Sequence, residues 1–93
     1  MSMKKFELYT RPTCSDCQAA KKFLAEKNIS YIEYDLSKQP EKERDLIRIS
    51  GTRIVPTFVF KGQSLLRWMS KPKFLIGFEQ NIDEIREILK IDN

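Results

Sequence analysis

"RPTCSDCQAA", residues 11–20, holds both cysteines of a 93-residue chain, spaced C-x-x-C, with a helix-like run directly behind them. The pair can be a stabilising disulfide, half of a metal site or a working thiol couple, and its position between two elements decides which. Upstream, "KKFELYT" sets Phe6, Leu8 and Thr10 against Glu7 and Tyr9, the period-two alternation of a strand. Downstream, Cys17, Ala20, Phe23 and Leu24 recur at helical spacing until Asn28 ends the run. The cysteines therefore lie where a strand turns into a helix.

Working outward, "SYIEYDL" reads as a second strand. Two strands joined by one helix within about 30 residues imply a right-handed parallel crossover. In "KQPEKERDLIRISG", Pro40 suits a first helical position, Glu41 and Glu43 the positive end, Arg44 and Arg48 the later turns, and Gly51 the stop. "IVPTFVFKG" is a third strand and "FLIGF" a fourth, antiparallel to it. "NIDEIREILKI" places Ile82, Ile85, Ile88 and Leu89 on one helical face, with Asn81 as cap and Glu84 as capping-box partner. The expectation is a single α/β domain spanning 1–93: a four-stranded mixed sheet with three helices in the order βαβαββα.

Composition narrows the function classes. Seventeen basic against 13 acidic residues give a net charge of +4, but the lysines and arginines are scattered and no nucleic-acid-reading motif accompanies them. No nucleic-acid partner is expected. No apolar stretch approaches the roughly 20 residues that span a bilayer, and the N-terminal lysines lack an apolar segment behind them. The expected location is the cytoplasm, without membrane association, where structural disulfides are rare.

A zinc site normally draws four ligands from Cys, His and carboxylate. The chain has no histidine and no second cysteine pair, so no metal site within one chain is expected. A site shared between two chains, and a pair of inert buried thiols, remain as alternatives. The spacing favours chemistry. At a helix start, free N–H groups and the helix dipole stabilise a thiolate on Cys14. Cys17, one turn on, can attack a mixed disulfide formed there.

"YTRPTCSDCQAAKKFL" together with "RIVPTFVFKG" resembles the glutaredoxins, members of the thioredoxin superfamily, over nearly the whole chain. The resemblance implies a thioredoxin-like fold and a glutathione-disulfide or protein-disulfide oxidoreductase serving electron transport and cell redox homeostasis. It makes Cys14 the exposed nucleophile and Cys17 the more buried resolving thiol. It makes Pro56 a cis proline facing the cysteines, with the Val55 backbone available to pair with a substrate backbone. No tightly bound cofactor is implied. Glutathione is the expected co-substrate, disulfide-bearing proteins the clients, and a monomer the expected state.

The resemblance also marks departures. Arg11 and Arg53 keep the two basic positions that can meet glutathione carboxylates. The turn that carries an acidic pair in the family reads Gly77-Phe78-Glu79-Gln80-Asn81 here, so Gln80 and Asn81 are neutral candidates for glutathione contact. Its Gly-Phe is similar to the NrdH-type redoxins, which are reduced by thioredoxin reductase. Asp16 stands where an aromatic is common, and its charge opposes a thiolate on Cys14. Residues 63–76 are expected to form an extended hairpin between strands three and four, with Trp68 either packed on the domain or docking a partner. Three functions follow: a glutathione-coupled dithiol oxidoreductase, an NrdH-like redoxin, or a non-catalytic module sharing an iron–sulfur cluster between two chains through Cys14.

Overall fold

The alternating and helically spaced segments fold as their patterns require. The computed structural model describes residues 6–60 and 73–91. Within them lie β1 (Phe6–Thr10), α1 (Ser15–Glu26), β2 (Tyr31–Asp35), α2 (Lys42–Ser50), β3 (Thr57–Phe60), β4 (Lys73–Ile76), a 3-10 turn (Glu79–Asn81) and α3 (Ile82–Leu89). The sheet order is β2-β1-β3-β4. β1 runs parallel to β2 and antiparallel to β3, and β3 pairs antiparallel with β4. This is the expected thioredoxin-like α/β architecture of four mixed strands and three helices.

Each face of the sheet has its own core. On one, Phe6, Leu8, Phe58, Phe60 and Phe78 pack with Ala20 and Leu24 of α1 and Ile85 of α3. On the other, Tyr9 and Val59 pack with Leu36 and with Leu46 of α2. Burying one such side chain contributes about 1.5–3 kcal/mol. Tyr9, set against Leu8 by the period-two alternation, is also buried, at 2% exposed. The reason is that β1 is an inner strand covered on both faces, where alternation no longer means inside against outside.

Two helix starts differ from expectation. α2 begins at Lys42 rather than Pro40, because residues 40 and 41 form a turn in which the Glu43 N–H donates to the Pro40 carbonyl at 3.1 Å. α3 has no side-chain cap. Asn81 Nδ2 instead donates back to the carbonyls of Ile76 (2.7 Å) and Gly77 (3.0 Å), and Glu84 pairs with Lys73 at 2.9 Å. Asn28 and Gly51 do end their helices, both at positive φ (57° and 82°). The expected hairpin, with Trp68, falls mostly on residues 61–72, outside the described residues.

Candidate active site

Three chain segments converge at one end of the sheet: the loop after β1, the residues before β3 and the turn after β4. The first is held at its root. Thr10, 1% exposed, donates to Glu33 Oε2 at 2.7 Å, and Lys21 of α1 meets the same oxygen at 2.9 Å. That hydrogen bond raises the Lys21 pKa. The loop then closes through the Cys14 N–H, which donates to the Arg11 carbonyl at 3.2 Å.

Cys14 is the N-cap of α1, with extended backbone (φ −93°, ψ 111°). Its carbonyl accepts the first helical hydrogen bond from Gln18 (3.1 Å). Its Sγ accepts from the Cys17 N–H at 3.0 Å, so a sulfur takes the place that a hydroxyl or carboxylate oxygen fills at most N-caps. Cys14 and Cys17 are joined as a disulfide, their Cα atoms 5.1 Å apart. Cys17 is fully buried and Cys14 half-buried, so one sulfur can be approached from outside and the other cannot.

The second segment lies against the first. Cys14 Sγ is 3.7 Å from the Val55 carbonyl oxygen. The Val55–Pro56 bond is cis, as the resemblance implies. Val55 precedes the first paired residue of β3, Thr57, so its backbone stands outside the sheet's ladders. The Pro56 carbonyl accepts from the Gly77 N–H at 2.8 Å, which ties in the third segment. Gly77 has φ +98°, a conformation that calls for glycine, whereas a Cβ there would meet only the exposed Gln80 side chain, 2.7 Å from Nε2.

The polar side chains around the disulfide are engaged by other groups of the protein. Arg11 meets Glu43 of α2 at 2.8 Å, and Arg53 lies 3.7 Å from the same Glu43 oxygen. Gln80 Nε2 and Asn81 Nδ2 both donate to the Ile76 carbonyl, at 2.6 and 2.7 Å. Phe78 points inward: it is 5% exposed and its ring lies 5.3 Å from that of Phe23. Asp16 reaches across to this turn, its carboxylate accepting from the Phe78 N–H at 2.7 Å and the Glu79 N–H at 3.3 Å.

Neither Glu43 nor this contact of Asp16 was visible from spacing alone. A faint signal for the second existed: an acid appears at 16 in the same chain that lacks the family's acidic pair at 80–81. Among the described residues no three Cys, Asp or Glu side chains cluster as a metal site, and no helix is long and apolar enough to cross a membrane.

The glutaredoxin family model matches residues 6–65. Over 63 residues the chain is 32% identical to Glutaredoxin 3 of Escherichia coli K12, covering 68% of this chain and 76% of that protein. The solved structure of the thioredoxin-like protein BC3987 superposes with a TM-score of 0.69 at 27% identity, over 91% of this chain and all of the other. The glutaredoxin of Archaeoglobus fulgidus shares the fold, with a TM-score of 0.69 at 21% identity over 97% of this chain and 89% of its own. By sequence the chain belongs to the glutaredoxin family, a redox protein whose cysteine pair is Cys14–Cys17.

Proposed function

We propose that the chain is a dithiol thiol–disulfide oxidoreductase in which Cys14 attacks and Cys17 resolves. The observation that carries this reading is the unequal burial of the two sulfurs, with the reachable one at the helix start. In the reduced protein the Cys14 thiolate attacks one sulfur of a client disulfide, and the other client sulfur leaves and takes up a proton. Cys17 then gives up its proton and attacks Cys14 Sγ, expelling the second client sulfur. The client gains two electrons and two protons, and the Cys14–Cys17 disulfide is left. The Cys17 N–H and the α1 N-terminus favour the thiolate on Cys14. The Val55 backbone can align an extended client segment beside the sulfur.

Glutathione is the proposed reductant. One thiolate opens the disulfide at Cys14, releasing Cys17, and a second attacks the glutathione sulfur, freeing Cys14 and glutathione disulfide. The neutral turn at 80–81 lacks one ion pair for the tripeptide. At an exposed site that is worth about 0–1 kcal/mol, too little to prevent turnover at millimolar glutathione. A second reading, reduction by thioredoxin reductase as in NrdH-type redoxins, is favoured by one observation: Arg11 and Arg53 already share Glu43.

Trapping tests the roles. Cys17→Ser should accumulate a mixed disulfide with a client or glutathione, and Cys14→Ser should not; trapping by Cys14→Ser alone overturns the assignment. Offering the oxidised protein glutathione with glutathione reductase, and separately NADPH with thioredoxin reductase, decides the donor. We expect slow but measurable reduction by the first system.

A further inference from the structure

Asp16 is an acid in the middle of the C-x-x-C motif, and its partners lie 62 and 63 residues away. Both are backbone N–H groups of consecutive residues, Phe78 and Glu79, at the turn that leads into α3. Two adjacent amides aimed at one carboxylate form an anion clamp. Here the clamp is closed by the protein's own side chain.

The clamp is tied to the segments that hold the reacting sulfur. Phe78 follows Gly77, whose N–H is bonded to the Pro56 carbonyl, and Val55, on the other side of Pro56, touches Cys14 Sγ. Asp16 itself is two residues from Cys14. A thiol reductant that brings a carboxylate to Cys14 therefore meets donors already in use. We propose that Asp16 is a specificity-determining residue: by filling the Phe78–Glu79 amide pair, it weakens recognition of carboxylate-bearing thiols and so slows glutathione, the proposed reductant, relative to thiols that do not use that pair. This rests on the reading of the chain as a thiol–disulfide oxidoreductase.

The physical case is one of competition. A tethered carboxylate acts at an effective concentration of roughly millimolar or more, comparable with glutathione itself. Hydrogen bonds to a charged partner are among the stronger ones in proteins. The amides are also fixed, because Phe78 is buried between Phe23 and Phe58 and holds the turn in place. An incoming carboxylate must displace Asp16 and leave its charge without these donors.

The test compares two thiols on the oxidised protein, glutathione and uncharged 2-mercaptoethanol, in wild type, Asp16→Asn and Asp16→Ala. Their ratio of rate constants cancels any change in Cys14 reactivity common to both. Asp16→Ala should raise the ratio about tenfold, chiefly through a lower KM for glutathione. Asp16→Asn, which keeps one acceptor for the amides, should raise it less.

An unchanged ratio in Asp16→Ala overturns the proposal. An equal rise in both variants also overturns it, because a charge acting through space does not distinguish Asn from Ala. Asp16→Ser carries the same comparison if the alanine variant does not fold. A wild-type disulfide inert to both thiols is a different failure: it removes the oxidoreductase reading, and the inference with it.

Discussion

The two faces of the sheet are built from different aromatic chemistry. The buried rings of the face under α1 and α3 are Phe6, Phe58, Phe60 and Phe78, with neighbouring centroids 5.2–6.4 Å apart, and the half-buried Tyr31 stacks on Phe6 at 5.7 Å. The face under α2 uses Tyr9 and Tyr34, 5.1 Å apart, beside a polar pocket lined also by Glu7, Lys42, Asp45 and Arg48. Each face sends one carboxylate to the disulfide's surroundings. From the phenylalanine face Asp16 reaches backbone amides whose position is set by a buried ring. From the tyrosine face Glu43 reaches two guanidinium groups on long, partly exposed side chains (37% and 72%). Similar charges thus hold unequally, according to what anchors their partners.

The strongest way to break this comparison is to remove the anchor. Phe78→Ala should destabilise the domain by about 3–5 kcal/mol, read by thermal or denaturant unfolding. It should also raise the glutathione-to-mercaptoethanol ratio in whatever fraction remains folded. A loss below about 1 kcal/mol would show that the ring does not hold the turn.

A smaller effect sharpens the other face. Burial, with help from Glu7 and Asp45, pushes the Tyr9 hydroxyl up to about 12 from its usual 10. The folded state therefore keeps its proton where the unfolded chain loses it. Stability should fall as pH rises from about 10 to about 12, by up to about 2–3 kcal/mol, and level off above. Below pH 10 this contribution is fully present. Tyr9→Phe should flatten that part of the pH–stability curve relative to wild type; an unaltered slope would mean that the ring is not excluded from water.

The smallest effect belongs to Glu43. Because the pairs with Arg11 and Arg53 are partly exposed, Glu43→Gln should change stability by less than about 1 kcal/mol. Freed from Glu43, the arginines should lower the glutathione KM by no more than about fivefold. An improvement as large as that from Asp16→Ala would erase the distinction between the two carboxylates.

Much of this fold could be read along the chain. β1 and β2 alternate, α1 repeats the buried Cys17, Ala20 and Leu24 at helical spacing, and Gly51 stops α2. What failed was local inference where tertiary structure had the casting vote. Tyr9 alternates with Leu8 yet is buried, because a helix covers each side of β1. Asn81 and Glu84 have capping-box spacing, but Asn81 serves the Ile76 and Gly77 carbonyls and Glu84 finds Lys73. In the candidate site, the pairing of Cys14 with Cys17 follows from proximity in sequence. The partners of Asp16 do not, since a contact across 62 residues leaves no periodic trace. Arg11 and Arg53 were legible as basic positions, while Glu43, which draws both, reads in sequence only as an acid near a helix start.

The hydrogen bond from the Cys17 N–H to Cys14 Sγ gives one residue two separable duties. Its backbone donates to Cys14 Sγ, and in the proposed mechanism its side chain performs the resolution. Exchanging the side chain for serine takes away the second duty and leaves the first, because the amide belongs to the helix and not to the thiol. A single-cysteine descendant of this chain would therefore inherit an activated Cys14 at once. The step from two-thiol to one-thiol chemistry would need one codon and no rebuilding of the site.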